Sequence, residues 1–153
     1  MRQVPENRRW PGETFFVTGR LLSTHRDFSE TPAAQLACAT LQFYRQRGDI
    51  RLYGYVVMPD HLHLLIKMSE LQTLSPFMNR FKSYIGHELH RGPIWQEGFW
   101  SEIIARRYLY YQKLNYIHRN PVEAGIAERP EDYPWSSARE YSLIHESTVI
   151  DYY

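Results

Sequence analysis

Two apolar runs on either side of Pro59-Asp60 constrain this chain more than any other feature in it. Arg51 to Met58 and His61 to Met68 are rich in β-branched, aromatic and aliphatic residues, and a Pro-Asp pair between two such runs is a tight turn. The two runs therefore read as neighbouring strands of a hairpin. From His61 to Ile66 polar and apolar residues alternate, apart from Leu65. Strand side chains point alternately to opposite faces, so His61 and His63 share one face while Leu62, Leu64 and Ile66 share the other.

The remaining elements fall around this hairpin. Thr14 to Leu22 reads as a first strand. A helix follows, capped at Thr31 with Pro32 at its first position, and runs to Arg47 before a Gly48 stop. Leu71 to His90 carries Leu74, Phe77, Met78, Phe81, Ile85 and Leu89 at helical spacing. Arg91-Gly92-Pro93 breaks that helix. Ile94 to Ile104 reads as a fourth strand, and Arg106 to Asn120 as a third helix, ended at Asn120 because a residue before proline disfavours the α region. Residues 126–153 form a Pro-punctuated tail with a short helix near Ser136–Tyr141. The order β-α-β-β-α-β plus one helix is that of an α+β, ferredoxin-like antiparallel sheet with two helices on one face. The third strand is then central, its histidines on an open face and its leucines under the first two helices. The 153 residues suit one domain.

Charge and cysteine content narrow the function. Residues 71–120 hold seven Lys/Arg against three Glu, whereas 121–153 hold two Arg against seven acids. The near-neutral total thus hides a basic half, suited to a polyanion, and an acidic tail that could fold over a site and control access to it. The single cysteine, Cys38, excludes a disulfide framework and reads as a small buried residue in a reducing compartment. The N-terminus lacks the apolar core of a signal peptide, and no stretch has the length of a membrane span, so a cytosolic protein is expected.

The third helix carries the second group of chemically useful residues. At 100° per residue Gln112, Lys113, Tyr116 and Asn120 share a side, while Tyr110, Tyr111, Leu114 and Ile117 take the apolar side. His118 falls about 200° from Tyr116. A phenol is a weak nucleophile at its free pKa of about 10, so attack at neutral pH needs a more electrophilic substrate. A divalent cation gives that help by polarising a phosphoryl oxygen. Two imidazoles and the Asn120 amide oxygen make a partial set for Mg²⁺ or Mn²⁺, with Mn²⁺ favoured by the nitrogens and Zn²⁺ left open. Each piece alone has a structural explanation: an incidental His pair, a packing tyrosine, a helix stop before Pro121. Their joint occurrence on this frame gives them weight.

Four ordered stretches complete the pattern: Tyr53 to Leu65 around Met58-Pro59-Asp60-His61-Leu62-His63, Phe77 to Ser83, Ile94 to Trp100, and Tyr116-Ile117-His118-Arg119-Asn120-Pro121 with its continuation to Ser137. With them the chain resembles the single-tyrosine HUH transposases, and among these the REP-associated tyrosine transposases. The resemblance implies His61 and His63 as metal ligands, Tyr116 as nucleophile, and Asn120 where the third ligand falls. Relatives commonly have Gln there, and His118, the alternative, is aimed away. It also implies cleavage of single-stranded DNA beside a REP-like hairpin through a 5′-phosphotyrosyl link that a 3′-OH can reverse. A nucleoid-associated protein is expected, more a monomer than a dimer. The candidate phosphate contacts are Arg8, Arg9, Arg80, Lys82, Arg106, Arg107, Lys113 and Arg119, with Arg2 from the N-terminal arm. Trp10, Phe99 and Trp100 are candidates for base stacking, or else for packing.

Overall fold

The computed structural model describes residues 12–142 and 147–153; Arg2, Arg8, Arg9 and Trp10 lie outside the described residues. Four strands, β1 (Thr14–Arg20), β2 (Ile50–Met58), β3 (His61–Met68) and β4 (Trp100–Ile103), make one sheet in the order β2-β3-β1-β4. Every neighbouring pair is antiparallel. Three helices join them: α1 (Thr31–Arg47), α2 (Leu74–Leu89) and α3 (Arg107–Glu123). This is the expected split β-α-β order with its extra helix, and β3 is an inner strand.

The alternation in the hairpin builds two cores. Leu62, Leu64 and Ile66 join Phe15, Val17, Leu52 and the α1 and α2 side chains Ala37, Leu41, Phe77 and Phe81 in one buried cluster. On the other face Phe16, Tyr53, Val56 and Leu65 pack with Tyr110, Leu114 and Ile117 of α3. The face expected to be open is thus largely covered by α3. Leu65, the exception to the alternation, is apolar because the face it points to is itself buried. Tyr111, assigned to the apolar side of α3, is 54% exposed; the buried stripe is narrower, through Tyr110, Leu114 and Ile117.

A bulge in β2 between Leu52 and Gly54 presents two successive residues, Tyr53 and Gly54, to α3. A Cβ on Gly54 would stand 2.6 Å from Leu114 Cδ1, so glycine is what lets the helix approach the strand.

Several boundaries differ from the sequence reading. Glu30, not Thr31, occupies the N-cap of α1, though Pro32 and the left-handed Gly48 fall as expected. The second helix begins three residues late, at Leu74, and His90 ends it at φ 54°. The fourth strand is confined to Trp100–Ile103, and Trp95 keeps only an isolated bridge to Leu21. Most consequential, α3 does not stop at Asn120: Pro121 lies inside the helix and is buried. Proline forfeits one amide bond there, but Ala124 N–H reaches the Asn120 carbonyl at 3.0 Å and the helix continues.

The described part of the tail lies against the β2 edge. Along β2, Val57 N–H donates to the Trp135 carbonyl at 2.8 Å, Tyr133 Oη to the Val57 carbonyl at 2.7 Å, and Asp151 N–H to the Leu52 carbonyl at 2.8 Å. The sheet edge is thereby covered, which removes an aggregation-prone row of unpaired amides. The short helix expected near Ser136–Tyr141 is a 3₁₀ turn over Ser137–Ser142.

Candidate active site

Register brings β1 and β3 together at the site: Thr18 lies opposite His63, and Arg20 opposite His61. The two imidazoles are neighbours, with ring centres 4.9 Å apart. Each has its Nδ1 occupied. His61 Nδ1 lies 2.7 Å from Asp60 Oδ1, and because an ionised carboxylate only accepts, the proton sits on Nδ1. His63 Nδ1 lies 2.8 Å from Thr18 Oγ1. With Nδ1 as the donor, Nε2 presents its lone pair, and His63 Nε2 is buried without a hydrogen-bond partner. Burial, reinforced by the nearby charges of Arg20 and Lys113, pushes His63 down to about 3, so its ring is neutral at pH 7.

Strand alternation alone would turn Asp60 away from its chain neighbour His61. The carboxylate bends back from the turn onto the imidazole, and that bond is the first reason its pKa is held below the ordinary value. Carboxylate and hydroxyl partners on the remote ring nitrogens are what a metal-binding histidine pair requires. The donor set therefore fits a divalent cation at His61 and His63. Among the described residues no third His, Cys, Asp or Glu joins them.

The tyrosine of α3 closes the arrangement. Tyr116 packs with its ring centre 5.3 Å from that of His63, and it is half exposed. Phe16 lies between the elements, stacked on His63 at 5.2 Å and edge-on to Tyr116 at 5.9 Å. A cavity of about 440 Å³ opens here, lined by Phe16, Thr18, Arg20, His63, Trp100, Lys113 and Tyr116. A larger one, about 650 Å³, between α2 and the 92–97 segment, holds neither the tyrosine nor the histidine pair.

Asn120, one helical turn past Tyr116, is half-buried and does not line the cavity. His118 is on another side of α3, 2.8 Å from Ser137 Oγ, and burial pushes it down to about 4. Of the expected phosphate contacts, Lys113 lines the cavity, held by Glu102 at 3.2 Å and lying 4.9 Å above the Phe16 ring. Lys82 is corrected: its buried ammonium donates to the carbonyls of Gln96 and Gly98 and is not available to phosphate. Arg80 sits on α2, behind the sheet, bonded to Gln72. Arg119 pairs with Glu123. Arg107 lies over the Tyr153 ring, and it and Arg106 precede Tyr116 by about 14 Å of helix. Phe99 packs against the α1–α2 core, while Trp100 is exposed at the cavity.

Sequence reasoning missed Phe16, Thr18 and Arg20. They share a face of β1 by simple alternation, but only the register places that face beside the histidines.

A strand-borne His-X-His pair with its outer nitrogens tied down, facing a helical tyrosine on a split β-α-β sheet, is the architecture of the single-tyrosine HUH enzymes. Residues 24–120 match the family described as "Transposase IS200 like", and the chain belongs to that family. A protein of Haemophilus influenzae that carries the name REP-associated tyrosine transposase is 28% identical over 96 residues, which is 53% of this chain and 54% of that protein. The chain thus aligns with about half the length of this curated relative. Among solved structures, a REP-associated tyrosine transposase bound to a REP hairpin superposes with a TM-score of 0.77 at 21% identity, over 94% of both chains. A transposase structure from Deinococcus radiodurans gives 0.52 at 16% identity, over 68% of this chain and 87% of the other. Among the described residues no helix is long and apolar enough to cross a membrane.

Proposed function

We propose that the protein cleaves and rejoins single-stranded DNA next to REP-like hairpins, with Tyr116 as the nucleophile and a divalent cation, Mg²⁺ or Mn²⁺, at His61 and His63. The observation that carries this reading is the buried, unpartnered Nε2 of His63 on a ring packed against Tyr116. A bound cation would polarise the scissile phosphate and orient it for attack. Asp60 and Thr18 fix the two imidazoles, and Asn120 is the candidate for a further ligand. Phe16 holds the tyrosine ring edge-on beside the histidines, and Lys113 places positive charge on the cavity wall.

In the reaction the phenol loses its proton and its oxygen bonds to phosphorus. The bond to the 3′ oxygen breaks, and that oxygen takes up a proton to leave as a 3′-OH. The 5′-phosphotyrosyl link retains the phosphodiester energy, so an incoming 3′-OH can reverse the step and join strands without a nucleotide cofactor. The relative solved with a REP hairpin, alike in fold over nearly the whole chain, supports the choice of DNA.

A labelled hairpin oligonucleotide with single-stranded arms, incubated with the protein and Mn²⁺, is expected to give a covalent adduct on a denaturing gel. Tyr116→Phe should abolish the adduct and leave binding intact. Binding without any adduct from the native protein would instead identify a hairpin-binding module. An adduct surviving Tyr116→Phe would move the nucleophile to another tyrosine.

A further inference from the structure

The wall of the Tyr116 cavity continues past Trp100. Thr18, Arg20 and Trp100 also line a second cavity, of about 170 Å³, whose other side is the loop 96–99. The two cavities meet along the end of β1 and the start of β4. Nothing in the proposed cleavage uses the second one, yet its walls are chemically distinctive. Trp100 is 42% exposed, leaving much of the indole uncovered beside it. Phe99 adds a second aromatic wall, and Glu97 contributes an exposed carboxylate. Among the described residues the side chains of Arg20 and Glu97 make no ion pair.

The loop itself is firmly built. Lys82, behind it, donates to the Gln96 carbonyl at 3.0 Å and to that of Gly98, and accepts at its own carbonyl from Trp95 Nε1 at 3.0 Å. Gln96 N–H donates to the Arg20 carbonyl at 2.9 Å and its side-chain amide to the Leu21 carbonyl at 3.0 Å. The cavity is therefore preformed, which lowers the cost of filling it.

We propose that this second cavity is a nucleobase subsite, taking one unpaired base with an exocyclic amino group from the nucleotide beside the phosphodiester offered to Tyr116. The inference rests on the DNA reading above for which polymer occupies the first cavity. The volume admits a single base and not a base pair. Trp100 stacks on that base, as exposed aromatics do with unpaired nucleotides. Glu97 accepts a hydrogen bond from the amino group, which thymine lacks. The same carboxylate repels phosphate, so the backbone is kept at the side of Arg20, a residue that lines both cavities.

The test uses the full chain carrying Tyr116→Phe and a REP-like hairpin with eight-nucleotide single-stranded arms, 2-aminopurine being placed at each arm position in turn. Fluorescence quenching is expected at one position, lost in Trp100→Leu and kept in Trp100→Phe. Thymine at that position should weaken binding about 10-fold against cytosine or adenine. Glu97→Ala should erase that preference. Arg20→Gln should weaken all sequences alike and lower the slope of log affinity against log salt by about 1. Quenching indifferent to Trp100→Leu, or thymine bound as well as the other bases, would overturn the subsite. If those failures accompany normal adduct formation by the protein with Tyr116 intact, the cleavage reading stands without the subsite. The expected base preference without any adduct would leave the subsite and sink the cleavage.

Discussion

At the scale of single residues, one hydroxyl orients the imidazole beside Tyr116: Thr18 Oγ1 lies 2.8 Å from His63 Nδ1. The bond between Nδ1 and Thr18 Oγ1 holds the ring plane, and β1 keeps the threonine in register opposite. Thr18→Val removes the partner at nearly equal volume. Mn²⁺ affinity, followed by calorimetric titration, is expected to fall about 10- to 100-fold, with adduct formation falling alongside and the fold preserved. Asp27 has a different role, in stability. Its side chain is 6% exposed, with Oδ1 2.8 Å from His25 Nδ1 and Oδ2 2.9 Å from Arg91 Nη1. Burial opposes its ionisation, but the bonds from Arg91 and His25 outweigh that and hold its pKa below the ordinary value. Stability from this carboxylate is therefore complete above the unfolded-state pKa of about 4 and is lost as pH falls through the lower folded value. Urea midpoints from pH 7 to 3 should decline at the acid end for the native protein. Asp27→Asn should start lower at pH 7 and decline less.

At the scale of elements, the question is what holds α3 at the distance that puts Tyr116 against His63. The β2 bulge and Gly54 set it, since Leu114 occupies the space a side chain would need, with Ser137 Oγ only 3.4 Å from the same point. Gly54→Val forces Leu114 or the whole helix outward. The expected cost is about 1–3 kcal/mol, read as a lower thermal midpoint. Adduct formation at a temperature where the variant stays folded should fall further, because Tyr116 lies two residues beyond Leu114. The amphipathic stripe of α3 was readable from its period, since a helix that buries Tyr110, Leu114 and Ile117 must turn Tyr116 away from that core. Its end was not, because the bias imposed by Pro121 on Asn120 is a local preference, and burial of the proline within the continuing helix outweighs it.

For the molecule as a whole, the acidic tail acts as a clasp on the sheet edge. Arg45 of α1 donates to both carboxylate oxygens of Asp151, at 3.1 and 3.2 Å, and to the carbonyls of Thr148 and Ile150. Tyr153 stacks on Tyr110 of α3 with ring centres 4.2 Å apart. The described tail residues thus join α1, β2 and the helix that carries Tyr116. Arg45→Ala should lower the urea midpoint by about 1–3 kcal/mol of stability, and limited proteolysis should then cut the C-terminal segment first. The adduct should persist, since Arg45 is behind the sheet from Tyr116.

What the sequence determined by itself was whatever depends on local period and chemistry. A two-residue alternation put His61 and His63 on one face, a helical period separated Tyr116 from the buried stripe, and the order of elements named the sheet. What only the tertiary structure decided was whatever depends on residues distant in the chain meeting. Those outcomes include Thr18 against His63, Phe16 between histidine and tyrosine, Lys82 spent on the 96–98 loop, and α3 lying over the face that alternation alone left open. The physical reason is that strand pairing and helix docking are settled by the sum of many weak packing contacts across the whole core, and no window of sequence contains that sum.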